Sequence, residues 1–286
     1  MIQIKSVEQL KLWRQSQLGS VVIVPTMGAL HSGHLALIEV AKRRFDVVLV
    51  SIFVNPGQFG PREDFFQYPR PLHADLENLQ HAGVDAVFLP TDQDIYPNGY
   101  RIATRIKVPI MGKVLCGKSR PRFFEGVCSV VLRLIQLSRP MGIVLGEKDF
   151  QQLQIIKEML TSLFYEVEVI GVKTVRDATG LALSSRNQYL SSDDRRLSAE
   201  IYHGMLLVRN ASITNHRVSF LRHIFFQYIT DKIPGSRIDY ADIVDSRIRR
   251  LRVIKPDARL IVAVWIEKTR LIDNLALRDQ FELTND

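Results

Sequence analysis

Residues 21–25, VVIVP, form a short apolar run that predicts a buried strand. Pro25 is expected to end it, because a prolyl nitrogen has no hydrogen to give a sheet ladder. A tight connection with two glycines follows at 26–33. Leu35, Leu37, Ile38 and Ala41 then recur at helical spacing, predicting a helix over 34–45 that starts at the second histidine. The next run, VVLVSIFV at 47–54, is almost wholly apolar and rich in β-branched residues, as in a strand buried on both faces. A helix over 71–83 is predicted from Leu72, Leu76 and Leu79, with Gly83 as its stop. Further strands are expected at 86–89, 143–145 and 167–172, and further helices at 126–137 and 150–164. Strand and helix alternating at this spacing predict βαβ units and a parallel sheet. Such sheets take ligands beyond the carboxyl ends of their strands. The unusual residues cluster after Pro25, after Val54 and after Leu145.

The pattern changes near residue 175. Helices are expected at 193–209 and 216–230, and strands at 237–243 and 259–266. The expected architecture is therefore an α/β domain over 1–175 and a smaller C-terminal α+β domain over 176–286. The polar, turn-rich run TVRDATGLALSSRNQYLSSDD lies where they meet in sequence and could face a site.

Composition narrows the classes. The chain has 286 residues, 46% of them apolar and 24% charged, which is enough to fill a core. Its 38 basic and 30 acidic residues give a net charge of +8, which draws anions to the surface. The basic residues are scattered in short groups, so a small phosphorylated or carboxylated substrate is favoured over nucleic acid. Two cysteines, Cys116 and Cys128, make no disulfide framework. The first residues, MIQIKSVEQLKLW, lack the apolar stretch of a secretory signal, and no apolar stretch approaches a bilayer span. A cytoplasmic protein without membrane partners is expected.

Four segments carry candidate chemistry. In PTMGALHSGHLALI, residues 25–38, His31 and His34 flank Gly33 at a strand-to-helix connection. Free backbone N–H groups at a helix start attract anions, and imidazoles beside them can donate to phosphate oxygens. Against this stands a structural reading, with one ring capping the helix and the other packing on it. Zinc would need a further ligand, and neither cysteine lies in a compact zinc motif. In SIFVNPGQF, residues 51–59, Gln58 offers a neutral donor and acceptor to a polar substrate, while Asn55 is either a second polar contact or a turn former before Pro56. In LGEKDFQQLQII, residues 145–156, Lys148 can reach a phosphate. Asp149 either caps the next helix or accepts from ribose hydroxyls, and Gln152 faces a cleft or the surface. In LALSSRNQYLS, residues 181–191, Ser184, Ser185 and Arg186 suit a triphosphate or a leaving pyrophosphate. Arg120 and Arg122 are a further candidate anion contact. There is no GxxxxGK[ST], no GxGxxG after a strand and no GxSxG, which disfavours P-loop, dinucleotide and α/β-hydrolase chemistry by those routes.

These motifs together resemble those of the pantoate–β-alanine ligases. PTMGALHSGH is similar to the histidine signature of the nucleotidyltransferase superfamily. SIFVNPGQF, YPR at 68–70, IYPNG at 95–99, GEKDFQQL, LALSSRN and VAVWIEKTRLIDN at 262–274 narrow the resemblance to this family. It implies a Rossmann-like domain over 1–175 that binds ATP and pantoate, a lid over 176–286, a homodimer, and Mg²⁺ accompanying ATP. It implies a pantoyl adenylate formed from ATP and then attacked by β-alanine. His31, His34, Lys148 and Arg186 would be catalytic. Met27, His34, Gly146, Lys148, Asp149, Val175, Ser184, Ser185 and Arg186 would bind ATP, with the glycine and aspartate at the ribose and Val175 at the adenine. Gln58, Gln152, Met27 and Asn55 would bind pantoate or shape its pocket. Asp75 is the candidate on the metal side, through water. One segment departs from the family pattern RPGHFxGV. Here it reads RPRFFEGV at 120–127, with Arg122 in place of a glycine and Phe123 in place of a histidine. Leu183 stands where methionine is common.

Overall fold

The computed structural model describes residues 1–61 and 63–278. The chain falls into two compact units. The first comprises Met1–Glu147 and Ile155–Lys173, and the second comprises Lys148–Gln154 and the chain from Thr174 onward.

The first unit holds a six-stranded parallel sheet in the order β1-β4-β3-β2-β5-β6. The strands are β1 (Ile2–Ile4), β2 (Val21–Thr26), β3 (Val47–Ile52), β4 (Ala86–Phe88), β5 (Gly142–Gly146) and β6 (Glu168–Val172). Val21, Val22, Ile23 and Val24 are successive and all fully buried, so β2 is covered on both faces, as its apolar run predicted. One covering layer comes from the Ser32–Arg44 helix, whose Leu37, Ile38 and Ala41 pack on Val22, Val24, Val48 and Val50. Each Leu, Ile or Val side chain among them contributes roughly 1.5–3 kcal/mol on burial.

The order reverses at β2, which leads to β3 on one side and has β5 on the other. That is a topological switch point, where ligands of open α/β sheets bind. Pro25 acts here in an unexpected way. It does not end the strand: β2 continues to Thr26, and its register with β3 runs from Val21 to Thr26. On the β5 side the ladder stops at Ile23, paired with Ile143. Val21 O accepts from Met141 on the β5 side, whereas Thr26 O accepts from Phe53 after β3. By strand alternation the nitrogen of Pro25 faces β5, so its missing hydrogen leaves the β3 ladder intact and the β5 ladder unextended.

The second unit holds an antiparallel sheet in the order β7-β8-β9, with β7 at Arg237–Val244, β8 at Arg259–Ile266 and β9 at Thr269–Ala276. Helices Glu200–Ser212 and Val218–Lys232 cover it through Met205, Val208, Leu221, Phe225 and Ile229. The fold class is the expected one, with differences in detail. The helical stretch expected at 193–209 is two helices, Ser192–Ser198 and Glu200–Ser212, meeting at Ala199. Strands β1 and β9 and the Val7–Ser16 helix are additions to the elements expected from sequence.

Candidate functional site

In the first unit the site grows from the start of the Ser32–Arg44 helix. This helix begins two residues before His34, and its N-cap is His31. The Gly33 N–H donates to His31 Nδ1 at 3.1 Å, and the His31 N–H donates to His34 Nδ1 at 3.3 Å. Two imidazoles thus make the reciprocal cap that Ser and Glu usually make. Their ring centroids lie 4.2 Å apart at 45°. Since both Nδ1 atoms accept, each neutral ring carries its proton on Nε2 and offers an N–H there. The two readings of the histidines are therefore compatible: the cap sets the tautomer that an anion site needs. Gly33 is required for this. A Cβ there would come within 2.8 Å of His31 Cε1 and 2.9 Å of its Nδ1.

The loop entering the helix is clamped by Asp75, from the Leu72–His81 helix. Its carboxylate is buried and accepts from Ala29 N at 2.8 Å and Leu30 N at 2.7 Å. Burial raises its pKa against the lowering effect of these two bonds, and burial wins. The clamp holds Ala29 at φ 50°, a left-handed conformation that is rare for a residue with a Cβ. Beside it, a cavity of about 430 Å³ is lined by residues that include Met27, Phe53, Val54, Phe65, Arg70 and Asp75.

The segment after β3 is fixed from several sides. Asn55 caps a 3₁₀ turn at Pro56–Gln58 through Gly57 N, which confirms its turn-forming role. It also bonds Gln58 Oε1 at 3.0 Å, while Gln58 Nε2 lies 3.0 Å from Met27 Sδ. Arg120 braces this region instead of standing open to solvent. It pairs with both oxygens of Glu63, donates to Gln58 O at 3.1 Å and stacks 3.7 Å above the Phe123 ring. Arg122 is exposed and holds φ 71°, a left-handed conformation that glycine adopts without strain. Cys116 and Cys128 are buried, and burial pushes the Cys128 thiol up to about 12, which opposes the thiolate a metal needs. Gly146 ends β5.

The second unit carries the other candidates. Lys148 and Asp149 sit on a single 3₁₀ turn at Glu147–Asp149, with Lys148 Nζ 3.7 Å from Asp149 Oδ2. Gln151 is buried and Gln152 half-buried, so the pair is not a mere surface face. Ser184 caps the 3₁₀ turn Ser185–Tyr189 by accepting from Arg186 N at 3.3 Å. Val175 O accepts from Leu183 N at 3.0 Å, closing the loop between them.

Several residues important to these arrangements escape a reading of the sequence. Asn274 donates to Lys148 O at 2.9 Å and accepts from Arg259 at 2.6 Å. Asp273 takes a two-pronged contact from Arg176 at 2.5 and 2.9 Å, and Arg176 stacks 3.8 Å above Tyr202. Tyr96 donates to Asn55 at 2.7 Å. Asp273, Asn274 and Tyr96 all fall within motifs, VAVWIEKTRLIDN and IYPNG, that carried no assigned chemistry.

A parallel sheet with a topological switch point, and an imidazole-capped helix start beside it, form an α/β architecture whose ligand crevice favours an anion. The family description "Pantoate-beta-alanine ligase" matches residues 2–276, and the chain belongs to that family. It is 45% identical over 260 residues to the pantothenate synthetase of Moorella thermoacetica, covering 90% of this chain and 91% of that one. The crystal structure of pantothenate synthetase from Thermus thermophilus is 41% identical, has a TM-score of 0.92, and covers 98% of this chain and 100% of its own. A pantoate–β-alanine ligase from Francisella tularensis, complexed with β,γ-ATP and β-alanine, is 36% identical with a TM-score of 0.81, covering 97% and 98% of the two chains.

Proposed function

We propose that this chain condenses pantoate with β-alanine at the expense of ATP, releasing AMP and pyrophosphate, through a pantoyl-adenylate intermediate. The observation that carries the reading is the imidazole-capped helix start at the switch point, in a chain whose near full-length relatives are pantoate–β-alanine ligases.

In the first step the pantoate carboxylate attacks the α-phosphorus, and the bond to the pyrophosphate oxygen breaks. Charge grows on the phosphate oxygens, and prearranged donors aimed at it lower the barrier. His31 and His34 supply Nε2–H donors, and Lys148 adds an ammonium. Ser184, Ser185 and Arg186 hold the β- and γ-phosphates. Gly146 and Asp149 meet the ribose, Val175 meets the adenine, and Met27 borders both substrates. Gln58 and Gln152 hold pantoate on a pocket floor shaped by Asn55. In the second step the β-alanine amine attacks the acyl carbon and AMP departs, with positioning supplying much of the acceleration.

Among the described residues no group of three or more His, Cys, Asp or Glu could hold a metal. Mg²⁺ would be held through phosphate oxygens, water and one or two carboxylates. Asp75 is the carboxylate we assign to it, through water. When bound, Mg²⁺ neutralises charge on the leaving phosphates. Residues 1–175 would form the ATP- and pantoate-binding part and residues 176–286 the part that shields the adenylate from water. We expect a homodimer acting in the cytoplasm; sedimentation at micromolar concentration checks the oligomeric state. Among the described residues no helix is long and apolar enough to cross a membrane.

Incubation with ATP, pantoate and β-alanine should yield AMP and pantothenate in equal amounts by chromatography. If pantoate yields no AMP while another acid does, the assignment fails.

A further inference from the structure

Tyr96 has no role in the chemistry above, yet its hydroxyl bonds Asn55, the residue assigned to the floor of the pantoate pocket. It follows the Asp92–Ile95 helix and is 4% exposed. Its Oη donates to Asn55 Oδ1 at 2.7 Å. Asn55 is 1% exposed and uses every hydrogen-bonding position of its amide. Oδ1 also accepts from Gly57 N at 3.1 Å, while Nδ2 donates to Gly126 O at 3.2 Å and to Gln58 Oε1 at 3.0 Å. Gly57 N can only donate and Gly126 O can only accept, so the Asn55 amide has one allowed orientation. That orientation makes Gln58 Oε1 the acceptor and turns Gln58 Nε2 toward Met27.

We infer that Tyr96 is a positioning residue for the pantoate step: through Asn55 it holds Gln58 with its NH₂ group presented as a donor to the acid. The inference rests on the assignment of Gln58 to pantoate.

The backbone of Gln58 is fixed by other groups, which isolates this role. A Cβ on Gly126 would fall 2.1 Å from Gly57 O, so the Phe123–Ser138 helix lies directly on that turn. Arg120 holds the Gln58 carbonyl. The Tyr96 ring is also held independently of its hydroxyl. The Arg133 guanidinium lies 4.9 Å from its centroid, tied to the carbonyls of Ser129 and Thr104. Burial pushes the phenol up to about 12, so it remains an O–H donor throughout the neutral range.

Tyr96→Phe removes the donor and keeps the ring. The KM for pantoate should rise roughly tenfold, the scale on which one buried hydrogen bond acts. The KM for ATP should stay within about twofold of wild type. Asn55→Asp keeps the acceptor for Tyr96 but offers Gln58 Oε1 no donor, and should raise the pantoate KM further. Calorimetric titration with pantoate well below each variant's melting temperature separates binding from unfolding. Gln58→Ala tests the underlying assignment: an unchanged pantoate KM there would mean Gln58 does not hold the acid. If Gln58→Ala raises that KM while Tyr96→Phe matches wild type, the positioning role is wrong. A Tyr96→Phe enzyme weakened equally for ATP and pantoate would make Tyr96 a packing residue only.

Discussion

The two units handle buried polarity in opposite ways. In the first, strands β2 and β3 are apolar but for Thr26 and Ser51, and beyond the strand ends His31, Asn55 and Asp75 of the Leu72–His81 helix bond backbone atoms. In the second, β9 carries Asp273 and Asn274 side by side within the strand, both buried. They reach Arg176 and Lys148 O, so a strand interior does the work that loops do in the first unit. Loss of a loop contact should therefore disturb chemistry first, and loss of a β9 contact should disturb folding first.

The largest effect expected is on stability. Asp273→Ala leaves the largely buried Arg176 guanidinium without a carboxylate, with Gly180 O still accepting from it, and should cost about 3–5 kcal/mol in a urea titration. A cost under about 1 kcal/mol would erase the contrast between the units. Next comes His34→Ala, which should lower the rate of pantoyl-adenylate formation by about 10²–10³-fold. Its stability cost should be only about 1 kcal/mol, the worth of a helix cap. Equal losses in rate and folding would make the histidines packing residues.

Asp75→Asn sharpens the same line. The amide replaces one acceptor with a donor, leaving a backbone N–H of the 29–30 turn unsatisfied, and should cost about 1–3 kcal/mol. The pH dependence has a definite sign. Burial raises the Asp75 pKa in the folded state, so the folded protein holds this proton more tightly than the unfolded chain. The contribution to stability is greatest below the ordinary carboxylate value and falls as pH rises through the raised one. The variant should lack that slope in denaturation curves taken across the acid range. The smallest effect runs the other way: Arg122→Gly should stabilise by about 1 kcal/mol, because φ 71° suits glycine.

Sequence patterning reached furthest where burial is two-sided. The runs at 21–25 and 47–54 read as strands because a parallel sheet covered on both faces leaves few polar positions, here Ser51 alone, to confuse the period. It failed at β9, since Asp273 and Asn274 break the apolar alternation at its centre. It failed at β1 because three residues carry too little period to detect. The Ser32–Arg44 helix starts two residues earlier than its periodicity indicates, because histidine is not an expected N-cap. The candidate phosphate and pantoate residues were readable because they lie in short motifs at strand ends. Tyr96 was not, because its bond to Asn55 spans 41 positions, and no local pattern records a contact of that range.

The imino acid at position 25 has an effect beyond its own dihedral angle. The seam between β2 and β5 ends at Ile23, and at position 25 covalent structure removes the hydrogen that would face β5. Changes to neighbouring residues cannot supply that hydrogen. Replacing Pro25 with valine would return the N–H that faces β5, the donor any lengthening of that ladder requires.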